Sequence, residues 1–121
     1  MGILDKLFRR EQPPEKPPDQ AVLVYFEYGS TDLSALFSVE EALENVIAEA
    51  GVGELDGNEI ATDGSDGTLF MYGPDADALF TAIRPTLEAV PFLKGARVVL
   101  RYGPPEDGTS EQTLTIPLVL S

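Results

Sequence analysis

The chain has 121 residues, 43% of them apolar, and contains neither Cys nor His. That length suits one domain with a single core, and the missing residue types exclude thiolate nucleophiles, disulfides, Cys/His zinc sites and His-based acid–base catalysis. A formal net charge of -13 repels phosphate backbones, so no nucleic-acid ligand is expected.

The charge is unevenly placed. Residues 1–20 are balanced, with Lys6, Arg9, Arg10 and Lys16 against Asp5, Glu11, Glu15 and Asp19. From Lys16 to Arg84 there is no basic residue at all, and the later ones are Arg84, Lys94, Arg97 and Arg101. An excess of this sign keeps the chain dispersed and steers a basic protein partner inward. No stretch approaches the ~20 apolar residues of a membrane span, and residues 1–20 lack the apolar core of a signal peptide. A cytoplasmic location is therefore the expectation.

Residues 1–20 read as an amphipathic leader followed by a Pro-rich linker. Ile3, Leu4, Leu7 and Phe8 recur at helical spacing, whereas Pro13, Pro14, Pro17 and Pro18 favour extended chain. Two turns are too few to anchor alone, so a frayed or self-docked leader is expected in preference to membrane contact through Ile3, Leu4, Leu7 and Phe8. Residues 21–121 read as one domain.

AVLVYFEY (21–28) is strand-like by its β-branched and aromatic content, with Val22, Val24, Phe26 and Tyr28 on one side and Leu23, Tyr25 and Glu27 on the other. SVEEALENVIAEAG carries a helical stripe of Val39, Ala42, Leu43, Val46, Ile47 and Ala50, a capping box of Ser38 with Glu41, and a stop at Gly51. Strands are expected around 53–62 and 67–72, joined through TDGSDG. GPDADALFTAIRPTLEAV predicts a second helix with Pro74 at its first position, Asp75 and Asp77 in its first turn, and a kink or break at Pro85. GARVVLRYG predicts a further strand, and QTLTIPLVL a last one that Pro117 confines to an edge. The order β-α-β-β-α-β plus one strand is the ferredoxin-like split βαβ pattern, an α+β fold with an antiparallel sheet and both helices on one face.

With the helices on one side, Tyr25, Phe70, Tyr72, Arg97, Val99 and Arg101 gather on the other. Aromatic and Arg side chains dominate protein interfaces. The plainer alternative is a sheet simply covered by its own aromatics, with Arg97 and Arg101 paired to Glu27 or Glu59. Superficially the same face resembles an RNA-binding sheet, but the acidic chain and the absent Lys/Arg-Gly-aromatic signature oppose that.

GNEIATDGSDGTLFMYGPDAD (57–77) concentrates carboxylates. It lacks the ligand spacing and closing Glu of an EF-hand, and paired-carboxylate catalysis by Asp56, Glu59, Asp63 and Asp66 would need a deep cleft. No phosphate loop, nucleophile elbow or dinucleotide fingerprint is present. Turn and helix-cap roles account for Asp63, Asp66, Asp75 and Asp77, leaving Asp56 and Glu59 without a structural role. No cofactor and no metal are expected.

The elements Asp56-Gly57-Asn58-Glu59, Leu69 to Phe80 and Leu100 to Pro105 resemble those of an uncharacterised group of small acidic bacterial proteins. The resemblance spans about residues 21–107 and implies a ferredoxin-like fold and a bacterial source, with no activity or catalytic residue attached. In format the chain is also similar to bacterial immunity proteins that neutralise toxins. Together these readings lead to one expectation: a non-enzymatic protein-interaction module that uses its acidic surface, around Glu40 to Asp66, or its aromatic sheet face to engage a protein partner or a second copy. Its candidate surface is Tyr25, Glu27, Phe70, Tyr72, Arg97, Arg101, Asp56 and Glu59. An ACT-like domain binding a small ligand between subunits is the first alternative, and a small enzyme the second.

Overall fold

The computed structural model describes residues 20–117, so residues 1–19 of the expected leader and linker and the segment after Pro117 lie outside the described residues. In chain order the elements are β1 (Gln20–Glu27), α1 (Ser34–Ala50), β2 (Glu54–Ile60), β3 (Asp66–Gly73), α2 (Ala76–Ala89), a short 3₁₀ turn (Pro91–Leu93), β4 (Arg97–Arg101) and β5 (Glu111–Thr115). The sheet runs β2-β3-β1-β4-β5 with every neighbouring pair antiparallel. This is an α+β fold of the ferredoxin-like split βαβ kind, extended by β5 at the edge beyond β4.

The alternation along β1 divides the molecule. Val22, Val24 and Phe26 enter one core with Leu69 and Met71 of β3 and Val98 and Leu100 of β4. The helices close that core through Leu36, Val39, Leu43 and Ile47 of α1 and Ala76, Leu79, Ile83 and Leu87 of α2. Burying such side chains contributes about 1.5–3 kcal/mol each before entropy is charged against it.

Helix α1 starts a turn earlier than its expected capping box. Its N-cap is Leu33, and Asp32 Oδ1 accepts from the Ser34 amide at 3.1 Å and from the Ser34 hydroxyl at 2.8 Å. Starting there extends the stripe back from Val39 to Leu36, which is fully buried, and leaves Ser38 exposed within the helix. The end falls where expected, with Gly51 left-handed and its amide bonded to Ile47 and Ala48 carbonyls.

Helix α2 also departs from expectation in two details. Pro74 precedes the cap instead of opening the helix, because Asp75 is the N-cap and accepts from Ala78 N at 3.1 Å. Gln20 Oε1, from the first residue of β1, accepts from the Ala76 amide at 2.8 Å. The expected break at Pro85 does not occur, and the helix runs unbroken to Ala89. Pro85 and Thr81 both lie on the exposed side, so the Thr81 carbonyl that loses a donor can bond to water. At the chain's end, β5 is an edge strand as Pro117 suggested, but it stops at Thr115. Ile116 is buried and its amide bonds to Ala96 O at 2.9 Å.

The β2–β3 turn is tied to the end of β1. Gly64 is buried with φ +74°, and its carbonyl accepts from Gly29 N at 2.7 Å and Ser30 N at 3.1 Å. A Cβ at this position would meet Ser30 O at 2.1 Å, whereas one at Gly108, also left-handed, meets nothing within 4 Å. Gly64→Ala should therefore lower stability by about 2–3 kcal/mol, and Gly108→Ala by only about 1 kcal/mol. Urea unfolding of the two variants measures the difference.

Candidate interaction surface

On the face opposite the helices, cross-strand partners form four rows, each named here for its β1 residue. The Ala21 row reads Glu54, Tyr72, Ala21, Arg101, Glu111 from β2 to β5. The Leu23 row reads Gly57, Phe70, Leu23, Val99, Thr113, and the Tyr25 row Glu59, Thr68, Tyr25, Arg97, Thr115. The Glu27 row holds Asp66 opposite Glu27. Residues directly opposed in a sheet share a face, so six of the eight expected surface residues, Tyr25, Phe70, Tyr72, Arg97, Arg101 and Glu59, do come together, and Glu27 ends the same face.

Within this face Ala21 and Val99 are buried, Tyr25, Leu23, Phe70, Tyr72 and Arg101 are partly buried, and Arg97 is exposed. The Arg97 guanidinium lies 4.5 Å from the centroid of the Tyr25 ring, a cation–π contact between neighbours on adjacent strands. Arg101 Nε donates to Gly103 O at 2.8 Å. The expected pairing of Arg97 or Arg101 with Glu27 or Glu59 is not formed; the ion pair among the described residues is Arg84 with Glu88, one turn apart on α2. The arginines sit on β4 and Glu59 on β2, two strands away from β4's neighbour β1, which is why no bridge to Glu59 closes.

Asp56 does not join the face. It is the extra residue where the β2–β3 register shifts between Leu55 and Gly57, and it is exposed. That bulge restores the alternation, so that Asn58 points to the helix side and donates to Glu40 Oε2 at 2.8 Å. Asp56 thus has the structural role it lacked in the sequence, and Glu59 alone stays without one.

Two features escape sequence reasoning. Glu54, at the start of β2, shares a row with Arg101; only the bulge at Asp56 puts Glu54 and Glu59 on one face. A cleft of about 590 Å³ opens where β1 and β4 part beyond Tyr25 and Arg97, lined by Glu27, Asp66, Lys94 and Arg97 with Phe26 and Phe92. Phe26, Tyr28 and Phe92 pack beside it with ring centroids 5.0–6.2 Å apart, Tyr28 edge-on to both phenylalanines and the two phenylalanines tilted to each other. Among the described residues, no cluster of carboxylates could hold a metal ion, and no helix is long and apolar enough to cross a membrane. Set against protein-family models, characterised proteins and solved structures, the chain matches none.

Asp63, Asp75 and Asp77 of the acidic stretch have local partners. Hydrogen bonds from Ser65, its hydroxyl first and then its amide at 2.9 Å, hold the Asp63 carboxyl below its ordinary pKa of 3.8. Asp32 is lowered likewise by the Ser34 amide and hydroxyl. The Tyr102 hydroxyl, 2.7 Å from Asp77 Oδ1, is raised above 10.0 by that bond. A depressed carboxyl stabilises the fold above its unfolded pKa and ceases to as pH falls through its folded one. Asp63→Ala should therefore be less stable than the parent at neutral pH, with the gap closing as pH drops below 3.8; parallel urea titrations across that range check it.

Proposed function

We propose that the chain is a non-enzymatic protein-interaction module whose sheet face, opposite the helices, engages another polypeptide. The observation that carries this reading is the Leu23 row. Phe70, Leu23 and Val99 form an apolar strip across the three central strands, bordered by Tyr72, Tyr25, Arg97 and Arg101. An apolar centre bordered by aromatic and Arg side chains has the composition of interface cores. The acidic remainder of the chain favours a partner with basic character at its rim and gives the encounter a salt dependence.

Phe70→Asp places a carboxylate at the centre of the strip without touching the helix-side core. Immobilised parent chain should retain a protein, or a second copy of itself, at low salt and release it at high salt, and the Phe70→Asp chain should retain neither. Equal retention by parent and variant would overturn the reading.

The cleft at the Glu27 row supports a second reading, a regulatory domain that binds a small zwitterion. Lys94 and Arg97 offer cations to a carboxylate, and Glu27 and Asp66 offer anions to an ammonium. Like charges opposed across a ladder destabilise it, so a cation bound between Glu27 and Asp66 relieves a cost. Free amino acids should then raise the melting temperature of the parent but not of a Glu27→Gln, Asp66→Asn double variant; no rise with any of them rejects this reading.

A further inference from the structure

We propose that the face pairs with a second copy of itself about a two-fold axis that runs parallel to the strands, between β1 and β3. This deepens the interaction reading above and rests on it, committing the face to one occupant. The rows of the face are self-complementary. Such an axis keeps each row over itself while exchanging β1 with β3 and β4 with β2. Phe70 of one copy then falls on Leu23 of the other, and Leu23 on Phe70. Tyr72 falls over Ala21, Tyr25 on Thr68 and Val99 over Gly57, Ala21 and Val99 being already buried within their own copy. In the same operation Arg97 meets Glu59 and Arg101 meets Glu54, each pair occurring twice by symmetry.

Other axes lose this match. A two-fold across the strands through the Leu23 row stacks Arg97 on Arg101 and Glu59 on Glu54. One along β1 sets Glu54 against Glu111. One between β1 and β4 carries Glu54 and Glu59 beyond the sheet edge. The chosen axis is the one that gives each arginine of the face a carboxylate. It also fits the lack of a Glu59–Arg97 ion pair among the described residues of one copy: the two lie three strands apart in a single sheet and come together only across the pair. The Tyr25 ring presets Arg97 for this, holding its guanidinium at the face.

The pairing has one unfavourable element. The Glu27 row brings Glu27 and Asp66 of both copies around the axis at one end of the interface. Face-to-face sheets pack aligned to within about 30°, so divergence lessens the match toward the outer rows without separating groups that lie on the axis itself. β5 overhangs and adds nothing. The patch is therefore small and carries a repulsive end, which sets the association in the weak class, with Kd on the order of micromolar or above.

Sedimentation velocity of the full chain, from micromolar to near-millimolar concentration, tests the proposal. The parent should form a dimer that high salt weakens. Arg97→Glu and Glu59→Arg should each raise Kd by about tenfold or more, and the Arg97→Glu, Glu59→Arg double variant should recover most of the loss. Both side chains are exposed, so the fold should tolerate either change, which thermal melting confirms separately. Glu27→Gln should act in the opposite sense and tighten the dimer. A strict monomer at every concentration overturns the proposal, as does a dimer indifferent to the single changes or one the double variant fails to restore. If the chain stays monomeric yet loses a captured protein on Phe70→Asp, the second copy is the wrong occupant and the wider reading stands.

Discussion

The register of β1 against both of its neighbours is the constraint on which everything else rests. β1 is hydrogen-bonded to β3 on one side and β4 on the other, and its side chains alternate strictly. Val22, Val24 and Phe26 are almost completely buried beneath the helices. A slip of one residue would place Ala21, Leu23, Tyr25 and Glu27 there instead, trading three close-packed apolar side chains for a carboxylate and a phenol. The turn at Gly64 adds a mechanical stop. By accepting from Gly29 and Ser30, and through Ser65 O from Tyr28 N at 2.9 Å, it ends β1 at one defined residue. The same register determines the composition of the opposite face, so core and candidate surface are two readings of one alternation.

That coupling accounts for where the charge goes. The acidic side chains of α1 and of the β2–β3 turn are on the outside of elements whose inner sides are apolar, which costs little in water. Arg97 and Arg101 stand four positions apart on β4 and so share its helix-free side, while Val98 and Leu100 between them enter the core. Two of the basic residues of a strongly acidic chain thereby lie beside an apolar strip.

Much of this was legible beforehand, for identifiable reasons. The split βαβ order, the face assignment of Val22, Val24, Phe26, Leu69, Met71, Val98 and Leu100, and the gathering of Tyr25, Phe70, Tyr72, Arg97 and Arg101 all follow from period-2 and period-3.6 patterns, which are local. What failed was also local, and tertiary packing overrode it. Ser38 and Glu41 satisfy a capping box, but burying Leu36 draws the helix start back to Leu33. Pro85 is a helix breaker by rule, but on the exposed side its missing bond is replaced by solvent and the stripe of Ile83 and Leu87 holds the helix together. QTLTIPLVL alternates past Pro117, yet the ladder with β4 ends at Thr115.

The sequence by itself therefore determined the elements, their faces and the fold class, because each depends on the spacing of apolar residues a few positions apart. Only the tertiary structure decided the part of the acidic stretch that turn and helix-terminus roles had left open. It locked the turn at Asp63 and Gly64 to β1, made Asp56 a bulge, and set Glu59 on the same face as two arginines. Those assignments depend on which strand lies beside which and in what register. A single inserted residue at Asp56 turns Glu54 and Glu59 to the same side, and that relation exists only once β2 is paired with β3.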